Sequence, residues 1–245
     1  MKEEQPAYKR ILLKLSGEAF QGEQEFGIDL PALNRFAEEI GQVLKLGVQV
    51  AIVVGAGNFF RGVPASKQGL DRVTADYMGM LATILNSVAL QDSIEKEGFS
   101  CRVLSPIEVP QICEPYIRRR AIRHMEKGRA VVFAAGTGNP YFSTDMAAAL
   151  RAVEIGAEAI FKATKVEGVF DADPVVEPSA TRFDELTHME VISKNLRVMD
   201  APAITLCMDN NLEIIVFNLL VPGNIKRVLT GEKIGTRVIV DPEML

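Results

Sequence analysis

Short, nearly unbroken apolar runs alternate with longer segments whose apolar residues recur every three or four positions. Val48–Val54 is a β-branched run of the kind expected from a strand covered on both faces. Ile11–Leu15, Cys101–Leu104, Ala130–Ala135, Ala159–Lys162, Ile214–Asn218 and Val238–Val240 read as further strands. Between them the spacing predicts helices. One starts at an Asp29 cap with Pro31 in its first turn and runs to Leu46, where Gly47 stops it. Thr74–Lys96 carries Met78, Leu81, Leu85 and Val88 at helical spacing, and Tyr116–Lys127 has a basic face. Another helix has its apolar run from Met146 and a cap at Ser143 or Thr144. Glu185–Lys194, Pro202–Asn211 and a segment near Ile225–Leu229 complete the set. Strand–helix alternation predicts an α/β fold, a single-domain three-layer sandwich around a largely parallel sheet. No repeat, low-complexity segment or linker divides residues 1–245.

In such a sheet ligands gather at the carboxyl ends of the strands. Four predicted strand ends share one character. The first offers Lys14, Ser16 and Gly17, and the second Gly55, Gly57, Asn58 and Arg61. The third runs from Gly136 to Asp145 and is dense in hydroxyl and amide groups; the fourth offers Lys162, Thr164 and Asp173. A glycine-rich loop leading into a helix N-terminus presents backbone N–H groups and a positive dipole end to an anion. Glycines interleaved with two lysines and an arginine suit a polyphosphate.

Composition narrows the ligand class. A net charge of −5 on 245 residues argues against a nucleic-acid or membrane partner, so an anionic ligand needs local basic groups and backbone donors. Cys101, Cys113 and Cys207 form no C-x-x-C pair, and MKEEQPAYKR lacks an apolar signal core. No apolar run approaches membrane-spanning length, which points to the cytoplasm. The P-loop pattern G-x-x-x-x-G-K-[ST] is absent, and Phe60 stands where a dinucleotide fingerprint needs its third glycine. His124 and His188 lie in helical segments without metal-ligand neighbours in sequence, so no protein metal site is expected. Arg118, Arg119, Arg120 and Arg123 read as a solvated helix face, and Asp171 as a simple Asx turn.

KLSGE, VVGAGNFFRG, GTGNPYFSTD and KATKVEGVFDADP together make the chain resemble the bacterial uridylate kinases of the amino acid kinase family, in register over nearly its whole length. The resemblance implies transfer of the ATP γ-phosphoryl group to UMP, with Mg2+ carried by the nucleotide phosphates. It assigns ATP to Lys14, Leu15, Ser16, Gly17, Gly57, Arg61, Thr164, Phe170 and Asp173. It assigns UMP to Ala56, Asp76, Thr137, Gly138, Asn139, Pro140, Tyr141, Phe142, Ser143 and Thr144, with Asp76 on the ribose hydroxyls. Ala56 stands where the family more often has glycine, and Phe170 where tyrosine is also common. Lys14, Lys162 and Arg61 would supply positive charge to the transferring group, and Asp145 would orient the two lysines; whether Lys162 or Lys165 contacts that group stays open. The resemblance also implies a homo-oligomer, a hexamer, with GTP as activator and UTP as inhibitor. Asp92, Arg102 and Arg129 fall at the family's GTP positions. A sister kinase phosphorylating a carboxylate, or a nucleotide sensor without catalysis, are the competing readings.

Overall fold

The computed structural model describes residues 5–60, 69–174 and 176–241. Among these, nine strands join in one sheet: β1 (Arg10–Leu15), β2 (Gln49–Val54), β3 (Cys101–Ser105), β4 (Glu114–Pro115), β5 (Ala130–Phe133), β6 (Ala159–Thr164), β7 (Glu185–Thr187), β8 (Glu213–Asn218) and β9 (Thr236–Ile239). Their order is β4-β3-β5-β2-β1-β6-β8-β9-β7, and every pair is parallel except β8 with β9. Seven helices connect them: α1 (Leu30–Lys45), α2 (Arg72–Lys96), α3 (Arg118–Glu126), α4 (Thr144–Ile155), α5 (His188–Ser193), α6 (Ala201–Asp209) and α7 (Asn224–Leu229).

Side chains alternate between the faces of a strand, and the two faces carry separate cores. Ile11, Leu13 and Leu15 of β1 pack in the layer of α1, α2 and α7. Leu12 of β1 and Ile160 of β6 pack in the layer of α3, α4, α5 and α6. The three-layer, largely parallel architecture expected from the alternation is present.

Departures from expectation fall at element ends and on one helix. Glu185–Thr187 is a strand rather than a helix start, because it pairs with β9 and buries Leu186. Helix α5 then begins from a capping box in which Thr187 and Glu190 satisfy each other's backbone N–H groups. Strand β5 stops at Phe133 instead of running to Ala135, whose φ of 55° is left-handed. Gly17–Gln21 form a turn of 3₁₀ helix immediately after β1. Asp71 caps α2, three residues before the expected start at Thr74. The closing strand starts at Thr236, and α3 starts at Arg118.

Helix α2 reverses its expected polarity. Of the stripe read from the sequence, Met78, Leu81 and Leu85 are 43%, 52% and 57% exposed, while Val88 packs partly buried against the core. Facing inward are Ala75, Met80, Ile84 and Leu90, together with the polar Thr83, Asn86 and Ser87. Contrary to the expectation that no apolar run approaches membrane-spanning length, α2 is long and apolar enough by length and composition to cross a membrane. In this fold it lies in a helical layer, with Met80, Ile84, Leu90 and Ile94 in the core.

Candidate functional site

Lys14 of β1 and Lys162 of β6 are direct neighbours in the parallel register. Alternation from Leu12 and Ile160 puts both ammonium groups on the α4 side of the sheet. Helix α4 arrives there with its N-terminus. Ser143 is its cap, accepting from the Met146 amide at 3.0 Å, which decides between the two candidate caps. Asp145 follows in the first turn and bridges the lysines: Oδ1 is 2.8 Å from Lys14 Nζ, and Oδ2 is 3.0 Å from Lys162 Nζ. Lys162 also donates to the Val198 carbonyl. Burial opposes the Asp145 charge, but the two lysines outweigh it and hold the carboxyl below the ordinary aspartate range. Burial, with Lys14 alongside, pushes Lys162 below the usual lysine range despite Asp145. Two cations and one anion leave net positive charge where the central strands end.

This triad sits where three cavities meet. One, of about 470 Å3, is lined by Lys14, Ser16, Gly17, Ala56, Asp76 and Tyr141, among others. A second, of about 650 Å3, is lined by Lys162, Thr164, Phe170, Asp173, Leu196 and Val198, among others. The third, of about 210 Å3, touches Lys14, Ser16, Lys162 and Thr164, and so links the first two. Two ligand-sized spaces thus flank one pair of lysines. That is the arrangement a transfer between two bound molecules requires.

The residues assigned from sequence divide between these spaces. Gly57, Thr137, Phe142, Ser143 and Thr144 also line the first cavity. Gly138, Asn139 and Pro140 do not line it. They form the outer turn of the loop, where a Cβ on Gly138 would sit 2.9 Å from Pro106. Leu15 lines none of the three: its side chain is core, and its carbonyl accepts from the Gly55 amide. Ser143 also donates to Asp200, a cavity residue the sequence reading missed. Asp171 is no local Asx turn; its carboxylate accepts from the Thr181 amide, ten residues on, at 2.8 Å. Lys165 turns to Glu18 at 3.3 Å, while Lys162 holds the triad. Arg61 lies outside the described residues.

Close backbone approach shapes the loops that end β1 and β2. A Cβ on Gly17 would lie 2.5 Å from the Gly55 carbonyl oxygen and 2.7 Å from the Gly57 nitrogen, so only glycine lets the β1 and β2 end loops touch. Behind them Asn58 and Asn86 exchange amide hydrogen bonds at 2.9 and 2.8 Å, and they also hold the Gly27 and Gly55 carbonyls. Asp76 accepts from Arg72 Nε at 2.8 Å and from the Tyr141 amide at 2.7 Å. Arg72 and Asp76 are an i,i+4 pair on α2, but spacing could not show the other partners, because those pairs are joined only by the fold.

The proposed effector residues lie elsewhere. Register aligns Arg102 with Val131, Ala51 and Leu12, two residues before the level of Lys14. Arg102 pairs with Glu95 at 3.1 Å and stands 3.8 Å from Glu114. Arg129 meets His124 Nδ1 at 3.0 Å, and His124 Nε2 faces Glu114 at 3.1 Å. Asp92 pairs with Lys96 at 2.5 Å. His188 is buried against the Leu212 carbonyl, and burial pushes it below the ordinary histidine range. Of the arginines read as a solvated face, Arg118 donates to the Glu154 carbonyl and Arg120 approaches Glu114 at 3.8 Å.

The amino acid kinase family model matches residues 9–218. Among solved structures, UMP kinase from Bacillus anthracis is 39% identical, with TM-score 0.92 over 96% of this chain and 97% of that one. UMP kinase from Ureaplasma parvum is 37% identical, with TM-score 0.89 over 94% and 98%. Uridylate kinase from Archaeoglobus fulgidus is 27% identical, with TM-score 0.71 over 93% and 99%.

Removing the bridging carboxylate leaves two buried ammonium groups facing each other. Asp145→Asn should cost about 3 kcal/mol at neutral pH. Because the folded carboxyl titrates below its unfolded value, its contribution is complete above the unfolded pKa of about 3.9 and is lost as pH falls through the folded one. Urea unfolding should show a constant gap from wild type above about pH 5 that closes in stronger acid. A gap that persists unchanged into acid would remove Asp145 from the ion pairs.

Proposed function

The chain belongs to the amino acid kinase family, and from that premise we propose that it transfers the γ-phosphoryl group of ATP to UMP, giving UDP and ADP in pyrimidine nucleotide biosynthesis. The observation that carries the reading is the Lys14–Asp145–Lys162 triad standing between two nucleotide-sized cavities. ATP would occupy the cavity of Thr164, Phe170 and Asp173, with its phosphates reaching Ser16, Gly17 and Gly57. UMP would occupy the cavity of Ala56, Asp76, Thr137 and Ser143. Phosphoryl transfer asks for positioning and neutralisation of charge on the equatorial oxygens. Lys14 and Lys162, with Arg61, supply that charge, and Asp145 keeps both ammonium groups at the strand ends.

The metal this reading calls for is one carried by the nucleotide phosphates. Mg2+ bound by ATP would screen the phosphate charge. Asp145, held ionised between cations, acts as an orienter rather than a base. The acceptor needs none, because a phosphate monoester with a second pKa of about 6 is a dianion near neutral pH.

The same reading includes a cytoplasmic homo-oligomer, a hexamer, activated by GTP at Asp92, Arg102 and Arg129 and inhibited by UTP. The exposed Met78, Leu81 and Leu85 stripe on α2 supports assembly, since a contiguous apolar face is what a contact between subunits would cover.

A coupled assay for ADP release should give turnover with UMP and none with glutamate. If Asp76 binds the ribose hydroxyls, losing the 2′-OH should cost about 1–3 kcal/mol in kcat/KM, so dUMP should trail UMP; equal values for the two would end that role. Lys14→Ala should lower kcat by about 10²–10³-fold. Its unfolding midpoint should shift less than that of Asp145→Asn, because Asp145 keeps Lys162. Normal turnover in that variant would take Lys14 out of the reaction.

The acid limb of kcat/KM for UMP should follow the acceptor's own ionisation, near pH 6. Asp145 titrates below the ordinary carboxylate range, too low to produce a limb there. An acceptor analogue with a lower second pKa should carry the limb down by the same amount. A limb that ignores the analogue and moves with Asp145→Asn would mean that the protein supplies a base.

A further inference from the structure

The loop between β5 and α4 turns in a conformation its sequence does not favour. Ala135 and Gly136 are consecutive left-handed residues, with φ of 55° and 59°, and Gly138 follows at 84°. A left-handed alanine costs about 1–2 kcal/mol, so the surroundings must hold it. The backbone accounting around it is informative. The Ala134 amide donates to Leu104 in the sheet, and the Gly138 amide closes the turn on the Ala135 carbonyl. The Asn139 amide meets Thr137 Oγ1 at 3.2 Å, and the Tyr141 amide goes to Asp76. The Gly136 and Thr137 amides have no protein acceptor among the described residues, and both residues line the cavity beside Lys14.

Two buried polar side chains grip this turn from opposite sides. Thr83 of α2, 5% exposed, accepts the Ala135 amide on Oγ1 at 2.8 Å while donating to the Met80 carbonyl at 2.7 Å. Arg151 of α4, 3% exposed, brings Nη2 to 3.4 Å from the Gly136 carbonyl and 3.5 Å from that of Thr137. Its guanidinium is fixed by Glu154 at 2.6 Å and by the Tyr116 ring, whose centroid is 3.8 Å away. Its Nε has no partner. A buried guanidinium is costly to retain for packing alone. Here its charge draws two carbonyls to the back of the turn, and planar peptide units then send the intervening amide forward.

We infer that Thr83 and Arg151 are positioning residues for the acceptor: they clamp the Ala135–Thr137 turn so that the Gly136 and Thr137 amides face the phosphate of the bound nucleoside monophosphate. The inference rests on the acceptor assignment proposed above and adds two residues that touch neither nucleotide's reacting atoms. Thr83→Val keeps shape and β-branching but removes the acceptor for the Ala135 amide. Arg151→Lys keeps the charge but loses the planar fork.

Steady-state kinetics on wild type, Thr83→Val, Thr83→Ser and Arg151→Lys, with hydrogen exchange on residues 134–138 of the free proteins, test this clamp. Thr83→Val and Arg151→Lys should each raise KM for UMP about tenfold, leave KM for ATP within about twofold, and speed exchange across the turn. Thr83→Ser, which restores the oxygen, should return both readouts to within about twofold of wild type. Equal rises in both KM values would show a structural role alone and overturn the inference, as would an unchanged KM for UMP with accelerated exchange. Wild-type protein that phosphorylates no UMP would instead sink the reading of the cavity, and the exchange data would still decide whether Thr83 and Arg151 hold the turn.

Discussion

The two ion pairs of Asp145 are the constraint around which the other parts of the site are arranged. Lys14 and Lys162 belong to adjacent parallel strands, and the register makes them neighbours whether or not that is electrostatically favourable. Two ammonium groups at that spacing in a partly dry cleft repel strongly. The carboxylate that relieves them arrives from a third element, the first turn of α4, where the helix dipole also favours a negative side chain. So the sheet order β2-β1-β6, the placement of α4 over β1, and the length of the β5–α4 loop must all agree before the triad can form. The reward is charge that needs no rearrangement when a polyphosphate enters.

Much of this was legible in sequence, for identifiable reasons. Period-2 and period-3.6 patterns are local, so the order of strands and helices followed directly, and glycine clusters marked the strand ends that border the cavities. The misses were non-local. Glu185–Thr187 looked helical because its strand character comes from β9, fifty residues later in the chain. Alternation turns the Leu15 side chain into the α1 layer, which the glycine-rich motif around it did not signal. Gly138, Asn139 and Pro140 sit in a motif whose other members line the cavity, but they do not line it themselves.

Helix α2 is the instructive failure. An apolar stripe of Met78, Leu81 and Leu85 faces out, and its inner face mixes core residues with hydroxyls and amides, unlike an ordinary amphipathic helix. Ser87 donates back to the Thr83 carbonyl within the helix, but three other polar groups engage loops of the site. Asp76 takes the Tyr141 amide, Thr83 the Ala135 amide, and Asn86 the Gly55 carbonyl together with Asn58. A periodicity argument assumes that burial selects for apolar residues. That assumption fails where a helix serves as the backing plate of a pocket, because loop amides and carbonyls there need partners that the loops cannot give one another.

This division of labour explains how a pocket built from glycine can be rigid. Glycine lets the Gly17 and Gly55–Gly57 backbones approach each other closely, but it also widens the unfolded ensemble and leaves the loops no side chains with which to hold themselves. Order must then be imported from regular structure. Helix α2 supplies hydrogen-bond partners from one side and α4 supplies Arg151 and Asp145 from the other, both anchored in cores on opposite faces of the sheet. Each loop that meets a nucleotide is therefore soft in itself and stiff in context. Asp76 and Thr83 line the cavity themselves, whereas Asn86 and Arg151 support it from behind, where no motif of contiguous residues could have announced them.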